Sequence, residues 1–83
     1  MGFKLTIVGP EGIVYEQEDV DFVVLPAKLG ELGILKRHTP LISALKKGKI
    51  KVKKGTGQTE SFNVNSGFVE VLPDKVTVLT NEV

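Results

Sequence analysis

Apolar and polar residues alternate with a period of two along most of the chain, and no window of eleven or more residues repeats its apolar positions at helical spacing. The pattern predicts strands. Leu5 and Ile7 alternate with Lys4 and Thr6, Gly9-Pro10-Glu11-Gly12 carries turn chemistry, and Ile13-Val14-Tyr15 returns, so the first two strands read as a hairpin. From Asp19 to Leu25, Val20, Phe22 and Val24 share one face, while Asp21, Val23 and Leu25 share the other. The second face turns apolar towards its end, as expected of a strand buried on both sides or covered by a partner. Pro26 is expected to stop that strand. Residues 27–40, with Gly30, Gly33, His38 and Pro40, read as the least regular part.

Leu41 to Leu45 is a short apolar segment and Lys46-Lys47-Gly48 a turn. Lys49-Ile50-Lys51-Val52-Lys53 is a half-buried strand with its lysines in water. Gly55-Thr56-Gly57 turns the chain into Ser61-Phe62-Asn63-Val64, giving an antiparallel hairpin. Phe68 to Leu72, a Pro73-Asp74 turn and Val76 to Leu79 complete the pattern. Nine or ten short strands at this spacing predict an all-β single domain, a β-sandwich or flattened barrel.

Composition narrows the picture. Eighty-three residues, 41% of them apolar, make one domain, with no room for a second lobe. With no cysteine there is no disulfide and no thiolate zinc site, so stability rests on a small core and on whatever a partner adds. The absence of cysteine fits a reducing compartment and others equally. The longest apolar run, Phe22 to Leu25, is far too short to span a bilayer, and Lys4 and Thr6 interrupt any signal-peptide core. Met1-Gly2-Phe3-Lys4-Leu5-Thr6 fits the loose myristoylation pattern, but strand alternation already accounts for these residues.

The net charge of +1 conceals polarity: Leu32 to Thr59 holds eight basic residues and no acid, whereas Glu11 to Asp21 holds five acids and no base. Lys49, Lys51 and Lys53 read first as the solvated face of an outer strand, protecting an edge. The alternative is an anionic partner for Lys46, Lys47, Lys49, Lys51, Lys53 and Lys54: nucleic acid, an acidic protein or lipid headgroups. Catalytic chemistry is poorly supplied. His38 is the lone imidazole and reads as a packing or hydrogen-bonding residue. Glu16, Glu18, Asp19 and Asp21 lack the glycine-hinged calcium spacing, and Gly55-Thr56-Gly57 opens no helix that would hold phosphate. No catalytic residue, metal site or cofactor is expected. A nucleic-acid-binding barrel is the main rival reading, but Phe62 shares the apolar face of its strand and the lysine-rich strand has no aromatic on which a base could stack. A biotinyl or lipoyl carrier would need a modified lysine, typically flanked by Met, and Met1 is the only methionine.

Gly30-Glu31-Leu32-Gly33-Ile34-Leu35, followed by His38, Pro40 and Leu41, resembles the epsilon subunit of F-type ATP synthases. Leu5 to Tyr15, Val23-Val24-Leu25-Pro26, Leu41 to Leu45 with Lys47-Gly48, Gly67 to Val71 and Val76 to Leu79 continue the resemblance in order through the chain. It implies a ten-stranded sandwich without chemistry of its own: a rotor part on the central stalk, beside the gamma subunit and on the c-ring. Such a part is peripheral to the cytoplasmic face of a bacterial inner membrane or its organellar equivalent, and binds no nucleic acid. In the family the acid of the Gly-Glu-Leu-Gly motif lies towards the polar loops of the ring, which implies ring contacts at Glu31, Leu32 and Gly33. Gamma contacts are implied at Gly9, His38 and Ser43. Val23, Leu25, Leu32, Ile34 and Leu41 are expected to form the apolar centre of the interface.

Three departures from the family pattern carry expectations. Lys36-Arg37 replaces a usual Pro-Gly and adds two charges to the proposed interface, where an acidic or carbonyl-rich surface should meet them. Asn65-Ser66-Gly67 replaces Ser-Gly-Gly, which is expected to alter a bulge, because serine tolerates positive φ less well than glycine. Residues 1–83 cover the sandwich without the helical hairpin that usually follows, so a complete chain of this length should anchor and couple without inhibiting hydrolysis through a tail.

Overall fold

A computed structural model describes residues 2–55 and 57–81. Nine strands form: β1 (Phe3–Gly9), β2 (Gly12–Val20), β3 (Phe22–Ala27), β4 (Gly30–Ile34), β5 (Leu41–Leu45), β6 (Gly48–Lys54), β7 (Gln58–Val64), β8 (Gly67–Leu72) and β9 (Lys75–Thr80). They hydrogen-bond in the order β2-β1-β9-β8-β5-β3-β6-β7, with β4 on the other side of β3. Among the described residues the β1–β9 pair is parallel and the other pairs are antiparallel. The sheet curls at the single pairing Ala27 to Leu45, so that β2-β1-β9-β8-β5 form one wall and β4-β3-β6-β7 the other. This is the all-β sandwich, or half-barrel, that the alternation predicts.

Inward residues of both walls make one core. Phe3, Leu5, Ile7, Val23, Leu25, Ile34, Leu45, Ile50, Val52, Val69, Val71, Val76 and Val78 are buried in it, and each of the larger ones contributes about 1.5–3 kcal/mol by leaving water. The open side is closed by β2 leaning on β6 and β7. The Tyr15 and Phe62 rings meet tilted at 52°, with their centroids 4.8 Å apart. Lys54 Nζ donates to Gln17 Oε1 at 3.0 Å, and the Gly55 amide donates to Asp21 Oδ2 at 2.8 Å.

Three boundaries differ from expectation. Asp19 and Val20 belong to β2, because Val20 pairs with Phe3 and Asp19 takes a left-handed φ of 55° at the bulge between them and Leu5. Pro26 does not end β3. On that edge Phe22 to Val24 pair with β6 and Ala27 pairs with β5, so the missing N–H falls in the gap between two ladders, and the Pro26 carbonyl accepts the Lys46 amide at 2.8 Å. Residues 30–34, expected to be irregular, form β4 by pairing along β3 from Gly30 opposite Ala27 to Ile34 opposite Val23.

Glycine is needed where backbones press together. A Cβ on Gly67 would lie 2.0 Å from the Leu79 carbonyl oxygen. Ser66 is not left-handed, so the strain expected there is not present; among the described residues the non-glycine positions in that conformation are Asp19 and Arg37, the latter with φ of 66°.

Candidate interaction surfaces

The outer face of the first wall is built by register. Ala44 on β5 lies opposite Phe68, Phe68 opposite Leu79, Leu79 beside Val8 and Val8 opposite Ile13. Five strands thereby contribute one apolar row across the wall, in which Ile13, Phe68 and Leu79 are exposed by 62%, 57% and 53%. Ile42 and Leu72 add apolar surface towards the other end of β5 and β8, separated from the row by the exposed Glu70, which lies opposite Ile42. A contiguous exposed row of this kind is the mark of a covered surface, unlike scattered single residues. Shallow depressions lined by Ala44, Phe68 and Leu79, by Gly9, Pro10 and Ile13, and by Pro40, Ile42 and Leu72 punctuate this face and its rims. Below the row the face is charged: Lys4 Nζ lies 3.4 Å from Glu16 and 3.9 Å from Glu18.

The expected apolar centre is elsewhere. Val23, Leu25 and Ile34 are fully buried, and Leu32 and Leu41 pack against them, so these five residues are engaged in the domain's own core and do not form an exposed patch. The apolar row on the first wall was missed. Its signal is present in β8 and β9, where Phe68, Leu72 and Leu79 make apolar the face that alternation would leave polar.

The proposed contact residues fall in four places. Glu31, Leu32 and Gly33 lie on β4, with Glu31 exposed opposite Pro26 and Leu32 half-buried opposite Leu25. Gly33 makes room for an aromatic ring, since a Cβ there would lie 3.0 Å from Phe22 Cζ. Gly9 ends β1 beside the apolar row, whereas His38 lies in the connection before β5, at the opposite end of the same wall. Ser43 sits between them on β5, half-buried opposite Val69, with its hydroxyl donating to the Ala44 carbonyl at 3.2 Å. The three flank the wall and do not converge on a point. His38 Nδ1 lies 2.8 Å from the Thr39 carbonyl, to which it can donate, and the Arg37 amide donates to the Pro73 carbonyl at 2.8 Å. Lys36 is half-buried and Arg37 exposed.

On the second wall, Lys49, Lys51 and Lys53 point outward from β6 while Ile50 and Val52 enter the core. β6 lies between β3 and β7, so these lysines do not guard an edge, as the sequence suggested. Among the described residues no group of three or more His, Asp or Glu side chains gathers to hold a cation. Among the described residues the clear ionisation shift is at Tyr15. Partial burial, then the Glu60 carboxylate that accepts its hydroxyl at 3.2 Å, push the phenol above its usual value of about 10.

Fold and surfaces together define a small β-sandwich that presents contact faces. The chain belongs to the ATP synthase delta/epsilon-chain β-sandwich family, whose model matches residues 2–83. It is 47% identical over 79 residues to the ATP synthase epsilon chains of Bacillus thuringiensis (strain Al Hakam) and Bacillus mycoides (strain KBAB4). Those matches cover 95% of this chain and 58% of theirs, so it spans less than two thirds of the relatives' length. A chain in the cryo-EM structure of the Euglena gracilis mitochondrial ATP synthase OSCP/F1/c-ring superposes with a TM-score of 0.91 at 24% identity, over 98% of this chain and 51% of that one. A chain of the Tetrahymena thermophila mitochondrial ATP synthase central stalk and c-ring superposes at 0.82 with 13% identity, over 99% and 65%. At these identities the two structures show a shared fold.

Proposed function

We propose that the chain is a non-catalytic rotor component of a proton-translocating F-type ATP synthase, binding gamma and the c-ring so that rotation of the ring is linked to ATP synthesis. The observation that carries this reading is family membership across residues 2–83, together with relatives named as ATP synthase epsilon chains. The physical features agree. The exposed row through Ile13, Leu79 and Phe68 gives a partner an apolar surface to bury, with Gly9 and His38 at the two ends of that wall as gamma-facing residues; Ser43, opposite the core residue Val69, lies on the inward face of the same wall and gives this reading no support from its side chain. Glu31, Leu32 and Gly33, near the tip of the β3–β4 hairpin, are the ring-facing residues, and the chain works peripherally at the cytoplasmic face of a bacterial inner membrane or its organellar equivalent. A nucleic-acid role gains nothing from the geometry: Phe62 packs against Tyr15 inside the fold, and the exposed Phe68 stands on the wall opposite to the lysines. Co-expression with a gamma subunit tests the reading. The two chains are expected to elute together in gel filtration, and separate elution would count against it.

A further inference from the structure

Strand register lays out the outer face of the first wall in three rows. The first is the apolar row from Ile13 to Ala44. In the second, Thr6 lies opposite Glu16 and beside Thr77, Thr77 lies opposite Glu70, and Glu70 lies opposite Ile42. The third sets Lys4 beside Lys75, with Lys75 opposite Leu72. Two carboxylates, Glu16 and Glu70, thus stand towards opposite sides of the middle row, in unlike surroundings.

Glu16 is satisfied within the chain. Lys4 Nζ lies 3.4 Å from its carboxylate, and the Thr6 hydroxyl donates to it at 3.4 Å. Glu70 is exposed, and among the described residues it enters no ion pair; Lys75, diagonal to it across β9, makes none with it. Its neighbours are apolar. Phe68 and Leu72 flank it on the same face of β8, each about 7 Å away along the strand, and Ile42, also exposed, stands opposite on β5. A partner that covers Phe68, Leu79 and Ile42 therefore takes Glu70 out of water with them. Without a counter-charge, that carboxylate would oppose the docking that the apolar residues favour.

We infer that Glu70 sets the specificity of this wall, and that the partner docking there brings an arginine to it. Arginine fits better than lysine. Its guanidinium forks onto both carboxylate oxygens, is less strongly hydrated than an ammonium, and can lie against the exposed Phe68 ring two residues along the strand. A nucleic acid or an anionic membrane would be repelled at the same point. The inference deepens the proposed function and rests on it for the occupant: gamma is the chain expected on this wall, so the arginine belongs to gamma. The β3–β4 hairpin is left to the ring.

Titration of the purified 83-residue chain onto a bacterial F1 particle stripped of its own epsilon chain, which holds gamma and no ring, tests it. Glu70→Gln is expected to bind about 100-fold more weakly than the unaltered chain. Phe68→Leu should bind a few-fold more weakly, and Glu16→Gln within about twofold, because Glu16 already has its cation. These side chains are exposed, so thermal unfolding should show every variant intact. In the complex with the unaltered chain one gamma arginine should resist modification by phenylglyoxal, and it should regain reactivity when Glu70→Gln occupies the particle. Equal affinity of Glu70→Gln, tighter binding of Glu70→Leu, or unchanged reactivity of every gamma arginine would each overturn the inference while leaving gamma binding, and so the rotor reading, in place. A chain that does not bind the particle at all would overturn both, an outcome distinct from the other three.

Discussion

Arg37 holds a φ of 66°, a conformation that crowds the Cβ of any L-residue, at a position where the resemblance implies glycine. Nothing local requires the arginine for folding, since its backbone amide makes the bond to Pro73 whatever the side chain. Arg37→Gly is therefore expected to relieve about 1 kcal/mol of strain and, after the extra freedom glycine gains in the unfolded chain, to raise stability by about 0.5 kcal/mol. Thermal denaturation should show a midpoint higher by a few degrees; a lowered midpoint would mean that the side chain itself holds the connection before β5. Tyr15 gives a residue-scale prediction in pH. Burial first and Glu60 second hold its folded phenol above the unfolded one, so the stability carried by the neutral phenol is fully present below about pH 10 and is lost as pH rises through the higher folded value. Tyr15→Phe should flatten the alkaline fall in stability above that point and leave the neutral-to-alkaline slope below it unchanged. An identical alkaline profile in both proteins would contradict this.

At the scale of elements, the connection between β4 and β5 joins the two walls and carries Lys36 and Arg37 beside His38. If this connection meets an acidic or carbonyl-rich neighbour in the assembled rotor, then Lys36→Glu with Arg37→Glu should weaken retention on gamma or the ring while leaving the isolated domain's unfolding nearly unchanged. Unaltered assembly and coupling would show that these charges face water. The elements also show what alternation can reveal. β6 was legible because Ile50 and Val52 separate three lysines, and β8–β9 because Pro73-Asp74 punctuates two apolar runs. β4 was not, since Gly-Glu-Leu-Gly has little intrinsic strand preference; its form is imposed by pairing along β3 and by Phe22 lying over Gly33. The later part of β2, Glu16 to Asp19, was also illegible. It is an edge strand whose acids face water and Lys4, so it has no apolar alternation to read. For the surfaces, the resemblance supplied positions along β4 and β5. Which apolar residues are core and which are exposed depends on how the sheet curls at Ala27 and Leu45, a long-range fact absent from local periodicity.

The whole molecule, 29 by 23 by 20 Å, has unlike faces. One wall presents an apolar row above paired charges, the other a file of unpaired lysines, and the hairpin end adds an exposed leucine. Such a body suits a place between a protein and a charged boundary, because each face has a different kind of neighbour to satisfy. The polarity that the sequence shows as an acidic stretch before residue 22 and a basic stretch after residue 35 becomes, in three dimensions, a difference between walls. Whether this domain links the ring to gamma is read in proton-driven ATP synthesis by bacterial membranes stripped of their own epsilon chain and supplied with these 83 residues. Synthesis is expected to return, with the added chain bound to gamma and the ring. Synthesis that stays at the stripped level, with the folded chain left unbound in solution, would contradict the link.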